Sequence, residues 1–298
     1  MTEKLFISFT MDAERIAGKC PTGGPPSWEF AEKSVRDYCG LLGSRGYPVT
    51  FFILPDTAEQ QSSLFRDVAR DGHECAMHFH AQSWRDNYLS PDDWQYLGGY
   101  PPDVQEPILR DARDQWADAM GHMPAAFRPG NCSANDATYG ILESLGFTCG
   151  SVSIPGRCKA SFYAIWTDAD RTVHRANHAF RMVAGDLDFV EVPITTDCRV
   201  TDHWSGTGDV RFETAEVPAI VAGATDHLQA QVDARSRIKH LCLFTHNSVC
   251  YDPKEAENRA NVLLGVMEQL PDIAAQFGLE PEGCTVSGMR TAFLSAEK

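Results

Sequence analysis

The sequence predicts an α/β fold, a single domain over residues 1–298 built either as a (β/α) barrel or as a doubly wound open sheet of parallel strands. Three observations lead to this prediction. Short apolar runs rich in β-branched and aromatic residues alternate with longer amphipathic segments, as in parallel sheets joined by helices. No glycine-rich phosphate loop follows the first run, which argues against a dinucleotide-binding sheet. The 298 residues, of which 43% are hydrophobic, are enough to bury a large core.

The alternation continues along the chain. Apolar, β-branched or aromatic runs predict strands at residues 5–9, 49–54, 74–77 and 126–128, near 147, and at 189–194, 241–245 and 285–289. Apolar residues at helical spacing predict helices at 27–42, 60–69, 107–120, 137–145 and 256–277, the first of them stopped by Gly43 and Gly46. Residues 152–186 contain Pro155 and Gly156 and little periodicity, so an insertion over one end of the barrel is expected.

The composition restricts the partners and the compartment. With 41 acidic against 26 basic residues the formal charge is −15, which would repel nucleic acid and anionic membrane surfaces. Ten cysteines lie scattered without a CxxC pair, and the first residues lack the pattern of a signal peptide. We therefore expect a cytoplasmic protein with free thiols that acts on a small molecule or a saccharide. The sequence is compatible with either a monomer or an oligomer.

Polar residues directly follow several predicted strands. In a parallel barrel the carboxyl ends of the strands meet at one mouth, so these side chains would converge although they lie far apart in sequence. One carboxylate with two imidazoles is a hydrolytic metal set that leaves a position open for water and substrate. The residues are Asp12, His78, His80, Arg128, Asn131 and His246.

Five segments around these residues resemble the motifs of the polysaccharide deacetylase family, the carbohydrate esterase family 4 type, in the same order. They are SFTMDAE at 8–14, GHECAMHFH at 72–80, FRPGNCSAND at 127–136, FVEVPI at 189–194 and LFTH at 243–246. The resemblance implies a single distorted (β/α) barrel of about seven parallel strands over residues 1–298. It also implies a divalent metal, for which zinc is the first candidate and other transition metals are the alternatives. It implies Asp12 and His78 as ligands, Arg128 as an orienting charge and His246 as the general acid. A backbone N–H near Asn131 would stabilise the oxyanion.

Two positions depart from the family pattern. Thr10 stands where the family has its catalytic aspartate, and threonine is no base near neutral pH, so we assign it to the substrate side with Asn131. The family's second histidine is replaced by Gln82, and His80 is the expected third metal ligand if the chain stays extended there. The missing base could be replaced by Glu14, by the ion's own water assisted by His246, or by nothing.

The expected function is therefore the hydrolytic removal of an acyl group from a sugar or other small amide, with the N-acetyl group as the first candidate. Hydrolysis of a cyclic amide or imide is the alternative within enzymes. The alternative to an enzyme is a barrel that binds a metal or a carbohydrate but does not catalyse a reaction. Each site residue could also be a packing or capping residue with no role in function. Asp202 and His203 are further pocket candidates. The aromatic residues at 84, 88, 94, 96 and 100 could form either a stacking rim for a sugar or a packed loop.

Overall fold

A curled, mostly parallel sheet forms the centre of the fold. The computed structural model describes residues 2–19, 23–84, 96–200, 208 and 210–297. Its strands are β1 (Glu3–Ala13), β2 (Val49–Ile53), β3 (Glu74–Phe79), β4 (Ala126–Pro129), β5 (Cys149–Gly150), β6 (Cys158–Lys159), β7 (Ala164–Ile165), β8 (His174–Arg175), β9 (Val190–Glu191), β10 (Lys239–His246) and β11 (Leu279–Gly283). Its helices are α1 (Trp28–Gly43), α2 (Pro55–Gln60), α3 (Ser62–Arg70), α4 (Pro102–Met120), α5 (Thr138–Ser144), α6 (Val217–Asp233), α7 (Ala260–Gln276) and α8 (Val286–Ala296).

The strand order confirms the predicted barrel architecture. The order is β10-β1-β2-β3-β4-β5-β9-β8, and β11 also pairs with β1. The seven neighbours from β10 to β9 run parallel, whereas β8 joins β9 antiparallel. After β9, the backbone N–H of Thr195 donates to the carbonyl oxygen of Cys242 in β10 at 3.0 Å. The two sides of the curled sheet therefore meet.

Strand β1 is buried on both faces, as expected for a parallel sheet that is covered outside and filled inside. Alternate residues from Leu5 to Met11 pack in the outer core, which also contains Val35 and Tyr38 of α1. The residues between them point inward, because side chains alternate along a strand. This inner set includes Thr10 and Asp12, both fully or almost fully buried.

A second apolar cluster fills the barrel interior. Phe52, Ala76, Ala126, Cys149, Val190 and Cys242 come from six strands, and Val286, Met289 and Phe293 come from α8. The backbone N–H of Val286 donates to Thr50 Oγ1 at 3.0 Å, which fixes the start of α8 at the beginning of β2. Helix α8 thus covers the barrel end opposite the carboxyl ends of the strands.

Two elements differ from the sequence prediction. The predicted strand at 285–289 is wrong, because Thr285 is the N-cap of α8 and its hydroxyl accepts from the N–H of Gly288 at 3.1 Å. The last strand is instead β11, directly before it. Helix α6 was not predicted. Within the described residues, none of the helices has the length and apolar character needed to cross a bilayer.

The predicted insertion lies over the mouth of the barrel. It contains the antiparallel pair β6 and β7 and supplies β8 to the sheet. The indole N–H of Trp166 donates to the carbonyl oxygen of Cys132 at 2.7 Å, which ties the insertion to the loop after β4. This contact brings inserted residues close to the ends of the central strands.

A buried carboxylate on β9 holds the segment that follows β5. Glu191 is fully buried, and its Oε1 accepts from Ser153 N and Ser153 Oγ, each at 2.8 Å, and from Val152 N at 3.0 Å. Burial raises the pKa of Glu191 from 4.5 to about 7, although the hydrogen bonds from Ser153 act to lower it. Glu191 therefore holds its proton in the folded state at pH values where the unfolded chain releases it.

We predict that this carboxyl makes stability depend on pH. Because its pKa is higher in the folded state, its contribution to the free energy of unfolding is largest below pH 4.5 and falls as the pH rises to about 7. Glu191→Gln removes this dependence, so the variant should lose less stability relative to the original protein at pH 8 than at pH 5. Urea unfolding at both pH values measures this, with the exposed Glu268→Gln as the charge-matched control. A Glu191→Gln difference that is equal at both pH values would contradict the prediction.

Candidate active site

The register of the sheet brings the candidate residues together at the mouth. Asp12 on β1 lies beside His246 on β10, and His78 on β3 lies beside Arg128 on β4. A cavity of about 440 Å³ opens there. It is lined by Asp12, Glu14, Gly23, His78, His80, Tyr96, Pro129, Asn131, Cys132, Arg157, Phe162, Ile194, Arg211, Glu213, Phe244, His246 and Ser248.

Glu14, His78 and His80 form a group that could hold a metal ion. Their donor atoms all lie within 4.8 Å of one another, and all three residues are buried. Glu14 Oε1 is 2.7 Å from His80 Nε2 and 3.4 Å from His78 Nε2. Burial acts to raise the pKa of Glu14, but the two imidazoles bring it well below its ordinary value, so the carboxylate is charged.

The main chain orients the imidazole ring of His78. Its Nδ1 lies 2.9 Å from the carbonyl oxygen of Arg128, and a carbonyl can only accept, so Nδ1 carries the proton. In the neutral ring, the lone pair is then on Nε2 and faces the Glu14 carboxylate. A lone pair facing a carboxylate is favourable only when a cation or a proton lies between them. The donor set therefore fits a divalent ion.

His80 is held in extended backbone and enclosed by two neighbours. Its φ and ψ are −108° and 100°, which keeps it on the same face of the chain as His78. The side-chain amide of Gln82 lies 2.8 Å from His80 Nδ1. Gly130 packs against the ring so closely that a Cβ there would lie 2.3 to 2.5 Å from three ring atoms. Position 130 therefore requires glycine if His80 is to keep this position.

Asp12 is held by Arg128 rather than by the metal group. Arg128 Nη1 donates to Asp12 Oδ1 at 2.7 Å. Asp12 Oδ2 faces the cavity, 4.0 Å from His78 Nε2 and 3.9 Å from His246 Nε2. Burial acts to raise the pKa of Asp12, but Arg128 and the imidazoles lower it below its ordinary value. Asp12 is thus a charged carboxylate with one fixed oxygen and one oxygen directed at the site.

Arg128 is itself fixed on every side. It is 1% exposed, and Ser151 accepts from it twice, through its carbonyl oxygen at 3.3 Å and its hydroxyl at 3.0 Å. The guanidinium carbon lies 4.1 Å from the centroid of the Phe52 ring. Thr10 accepts from Arg128 Nη1 at 2.8 Å and donates to the carbonyl oxygen of Leu243 at 3.0 Å. Thr10 is fully buried beneath Asp12 and does not line the cavity.

A hydrogen-bonded chain behind His246 was not found from the sequence. His246 Nδ1 is hydrogen-bonded to Glu213 Oε1, Glu213 Oε2 accepts from Thr245 Oγ1 at 3.1 Å, and Thr245 Oγ1 accepts from the Tyr251 hydroxyl at 2.6 Å. Burial acts to lower the pKa of His246, but Glu213 raises it, to about 9. Glu213 precedes the unpredicted helix α6 and belongs to no recognisable motif, so no signal pointed to it.

Of the remaining candidates, some line the cavity, one is buried and four lie outside the described residues. Asn131 lines the cavity with a φ of 57°, and its Oδ1 accepts from Gln82 at 3.2 Å. Of the aromatic residues, Trp84 is buried, whereas Tyr96 lines the cavity with its ring centroid 4.7 Å from that of Phe162. Positions 88, 94, 202 and 203 lie outside the described residues.

Comparison with known proteins supports the fold and the motifs. Residues 24–150 match the family model described as Polysaccharide deacetylase, a range that includes the segments of His78, His80 and Arg128. No curated protein matches the chain significantly.

Three solved structures resemble the chain over almost its whole length. A candidate polysaccharide deacetylase from Mycobacterium smegmatis has a TM-score of 0.61 and 19% identity, covering 100% of this chain and 92% of that one. PuuE allantoinase has a TM-score of 0.60 and 13% identity, with coverages of 98% and 90%. A probable polysaccharide deacetylase from Pseudomonas aeruginosa PAO1 has a TM-score of 0.56 and 14% identity, with coverages of 98% and 91%.

At these identities the structural likeness speaks for the fold alone, and the motifs and the family model carry the assignment. Thr10, His80 and Gln82 are the positions that differ from the family pattern. The resemblance drawn from the motifs is confirmed for residues 24–150, which match the polysaccharide deacetylase model.

Proposed function

We propose that this protein is a metal-dependent hydrolase that removes an acyl group, first an N-acetyl group, from a sugar or other small amide. One observation carries the proposal. The Glu14, His78 and His80 group shares a cavity with His246, whose Nδ1 is hydrogen-bonded to Glu213. A metal-ligand group and a proton donor in one cavity are the parts that amide hydrolysis needs.

Glu14, His78 and His80 would hold the ion, for which we propose zinc because the donors are one carboxylate and two imidazoles. When bound, a divalent ion lowers the pKa of water and polarises a carbonyl. The Arg128 carbonyl keeps His78 in the tautomer that ligation requires. Gln82 can serve His80 in the same way if the Gln82 and Asn131 amides rotate together, so that Gln82 Oε1 accepts from His80 Nδ1 and from Asn131 Nδ2.

The geometry supports exchanging the roles that the motifs gave to Asp12 and Glu14. Glu14 lies nearer to both imidazoles, whereas Asp12 is anchored by Arg128 with Oδ2 free to face a reacting water. A carboxylate fixed in this way is suited to accept a proton as a general base. On this proposal the site keeps a base at position 12, and Thr10 only supports Arg128.

His246 completes the reaction as the general acid. Its pKa of about 9 keeps the imidazole protonated at neutral pH, and Glu213 holds Nδ1 so that Nε2 faces the cavity. Nε2 would donate its proton to the amine that leaves the acyl carbon. Asn131 lines the cavity wall, where a backbone N–H near this residue would stabilise the oxyanion.

A cyclic amide or imide is the second candidate substrate. It is suggested by the fold likeness to PuuE allantoinase, and ring opening needs the same base and acid. Acetate release from N-acetylated sugars, measured beside ring opening of hydantoins, separates the two candidates. Binding without either reaction would instead support a barrel that lacks turnover.

Exchanging the two carboxylates for amides tests the assigned roles. We expect Asp12→Asn to bind zinc and to lose acetate release by a factor of about 10² to 10⁴, the usual contribution of a general base. We expect Glu14→Gln to lose zinc affinity together with activity, because an amide is a weaker ligand. Zinc content by mass spectrometry and acetate release from N-acetylated sugars are measured on both variants. Zinc lost from Asp12→Asn and kept by Glu14→Gln would restore the roles implied by the motifs.

Gly130→Ala should weaken metal binding without changing a single ligand. The added Cβ would overlap the His80 ring, so the ring must move away from Glu14. We expect zinc affinity to fall by about tenfold or more, as when the support of a ligand is removed. Competition with a chromogenic chelator measures it. Gly140→Ala on α5 is the control, because among the described residues nothing lies within 4 Å of a Cβ there. Equal zinc affinities in the two variants would remove His80 from the metal group.

Glu213→Gln should move the pH profile of the reaction. The general acid must be protonated, so activity falls as the pH rises through the pKa of His246, about 9. Without the Glu213 charge this pKa falls, and we expect the alkaline limb of kcat to shift down by about one unit or more. The control is Glu216→Gln, an exposed glutamate paired with Arg259. An unchanged alkaline limb in Glu213→Gln would show that His246 is not the acid.

A further inference from the structure

The side chain of Asn247 continues the contact between β1 and β10 beyond the end of their register. That register ends with Asp12 beside His246, and the backbone N–H of Asn247 donates to the carbonyl oxygen of Asp12 at 3.1 Å. The chain after β10 then turns, because the backbone N–H of Val249 donates back to the carbonyl oxygen of His246 at 3.2 Å. At the mouth of the barrel, the contact with β1 therefore passes from the main chain to a side chain.

Both main-chain groups of Glu14 are hydrogen-bonded to the Asn247 amide. The backbone N–H of Glu14 donates to Asn247 Oδ1 at 3.0 Å, and Asn247 Nδ2 donates to the carbonyl oxygen of Glu14 at 2.9 Å. In a parallel ladder this N–H would donate to the main-chain carbonyl of residue 247, so the side-chain oxygen takes the place of that carbonyl. Because an N–H only donates and a carbonyl oxygen only accepts, the amide has one orientation. Asn247 is fully buried, where a main-chain group left without its partner is costly.

The residue after Glu14 is fixed from the other side of the site. Arg15 Nη1 donates to the carbonyl oxygen of Ser83 at 2.8 Å, and Arg15 Nε lies 2.6 Å from Asp56 Oδ2. Ser83 belongs to the turn after β3, since its backbone N–H donates to the carbonyl oxygen of His80 at 3.2 Å. The end of β1 is therefore held separately by the turn after β10 and by the turn after β3. Loss of the Asn247 contact should shift Glu14 rather than detach the segment.

We infer that Asn247 is a positioning residue for the proposed metal group, because its amide fixes the main chain from which the Glu14 carboxylate reaches the two imidazoles. This inference rests on the proposed function, from which it takes Glu14 as a ligand. Glu14 Oε1 lies 2.7 Å from His80 Nε2 and 3.4 Å from His78 Nε2. Supporting residues have to hold such a group to within about 0.5 Å of its working geometry. Because Asn247 directly follows His246, it also fixes the ligand relative to the proposed general acid.

Two variants of Asn247 test the inference through metal binding. Asn247→Ala removes both hydrogen bonds, and Asn247→Leu removes them while filling most of the volume. We expect each variant to bind zinc at least about tenfold more weakly than the original protein, measured by competition with a chromogenic chelator. With cobalt(II) in place of zinc, we expect the visible absorption of each variant to move toward that of Glu14→Gln. The reason is that the carboxylate leaves the ion in all three proteins, whereas the two imidazoles stay.

Asn177→Ala is the matched control. The Asn177 amide also bonds to the main chain, since its Oδ1 accepts from the N–H of Ala179 at 2.9 Å and its Nδ2 donates to the carbonyl oxygen of Ala184 at 3.3 Å. Among the described residues, the cavity lining includes neither Asn177 nor these two partners. This variant should keep the zinc affinity and the cobalt(II) spectrum of the original protein, and an equal loss in it would overturn the inference.

Thermal unfolding of the metal-free proteins shows whether each variant folds, and Asn247→Leu carries the test if Asn247→Ala does not. Unchanged zinc affinity in a folded variant, or weaker binding with the cobalt(II) spectrum of the original protein, would overturn the inference. Failure of both variants to fold would do so too, because Asn247 would then support the whole fold.

Activity of the original protein separates the inference from the proposed function. The predicted changes in affinity and spectrum, without acetate release or ring opening by the original protein, would support the inference and remove the function. Turnover by the original protein with unchanged metal binding in the Asn247 variants would do the reverse. Failure of the original protein to bind either metal would overturn both.

Discussion

The buried ion pair between Arg128 and Asp12 is the interaction on which the site depends. A guanidinium that is 1% exposed must be satisfied on every side, because an unpaired charge in the interior is very costly. Its partners come from β1 and from the segment after β5, and its faces lie against rings from β2 and β10. Glu191 fixes that segment from β9 in turn. The positions of most of the central strands therefore depend on contacts with the side chain of Arg128.

Residues on the inward face of β1 lie at successive depths below the mouth of the barrel. Residues 10, 12 and 14 follow one another toward the mouth at the spacing of alternate strand residues. Thr10 is enclosed and serves the arginine, Asp12 lies between the arginine and the cavity, and Glu14 reaches the two imidazoles. The same extended geometry places His78 and His80 together on β3 and just after it. On the proposed function, the end of this strand thus carries a supporting residue at position 10, a general base at position 12 and a metal ligand at position 14.

The sequence predicted the parts of this arrangement that follow from strand periodicity and motif order. It placed the seven central parallel strands, with β5 about two residues too early, and the residues at their ends, since apolar runs and the polar residues after them are local signals. It predicted β1 only as residues 5–9, because the polar stretch beyond Phe9 reads as a loop until β10 pairs with it through His246. Glu213 and the choice between Asp12 and Glu14 depend on contacts between distant segments, which no local pattern encodes. The strand predicted at 285–289 failed because a threonine cap looks like a β-branched strand residue.

Arg128 acts through two chemically separate parts. Its side chain holds Asp12, while its carbonyl oxygen accepts from His78 Nδ1. Every amino acid at position 128 has a main-chain carbonyl, so a substitution there would leave the contact that orients the His78 imidazole. The same substitution would remove the guanidinium that orients the Asp12 carboxylate. On the proposed function, a single replacement at position 128 would alter proton transfer through Asp12, while the main-chain carbonyl would still orient His78.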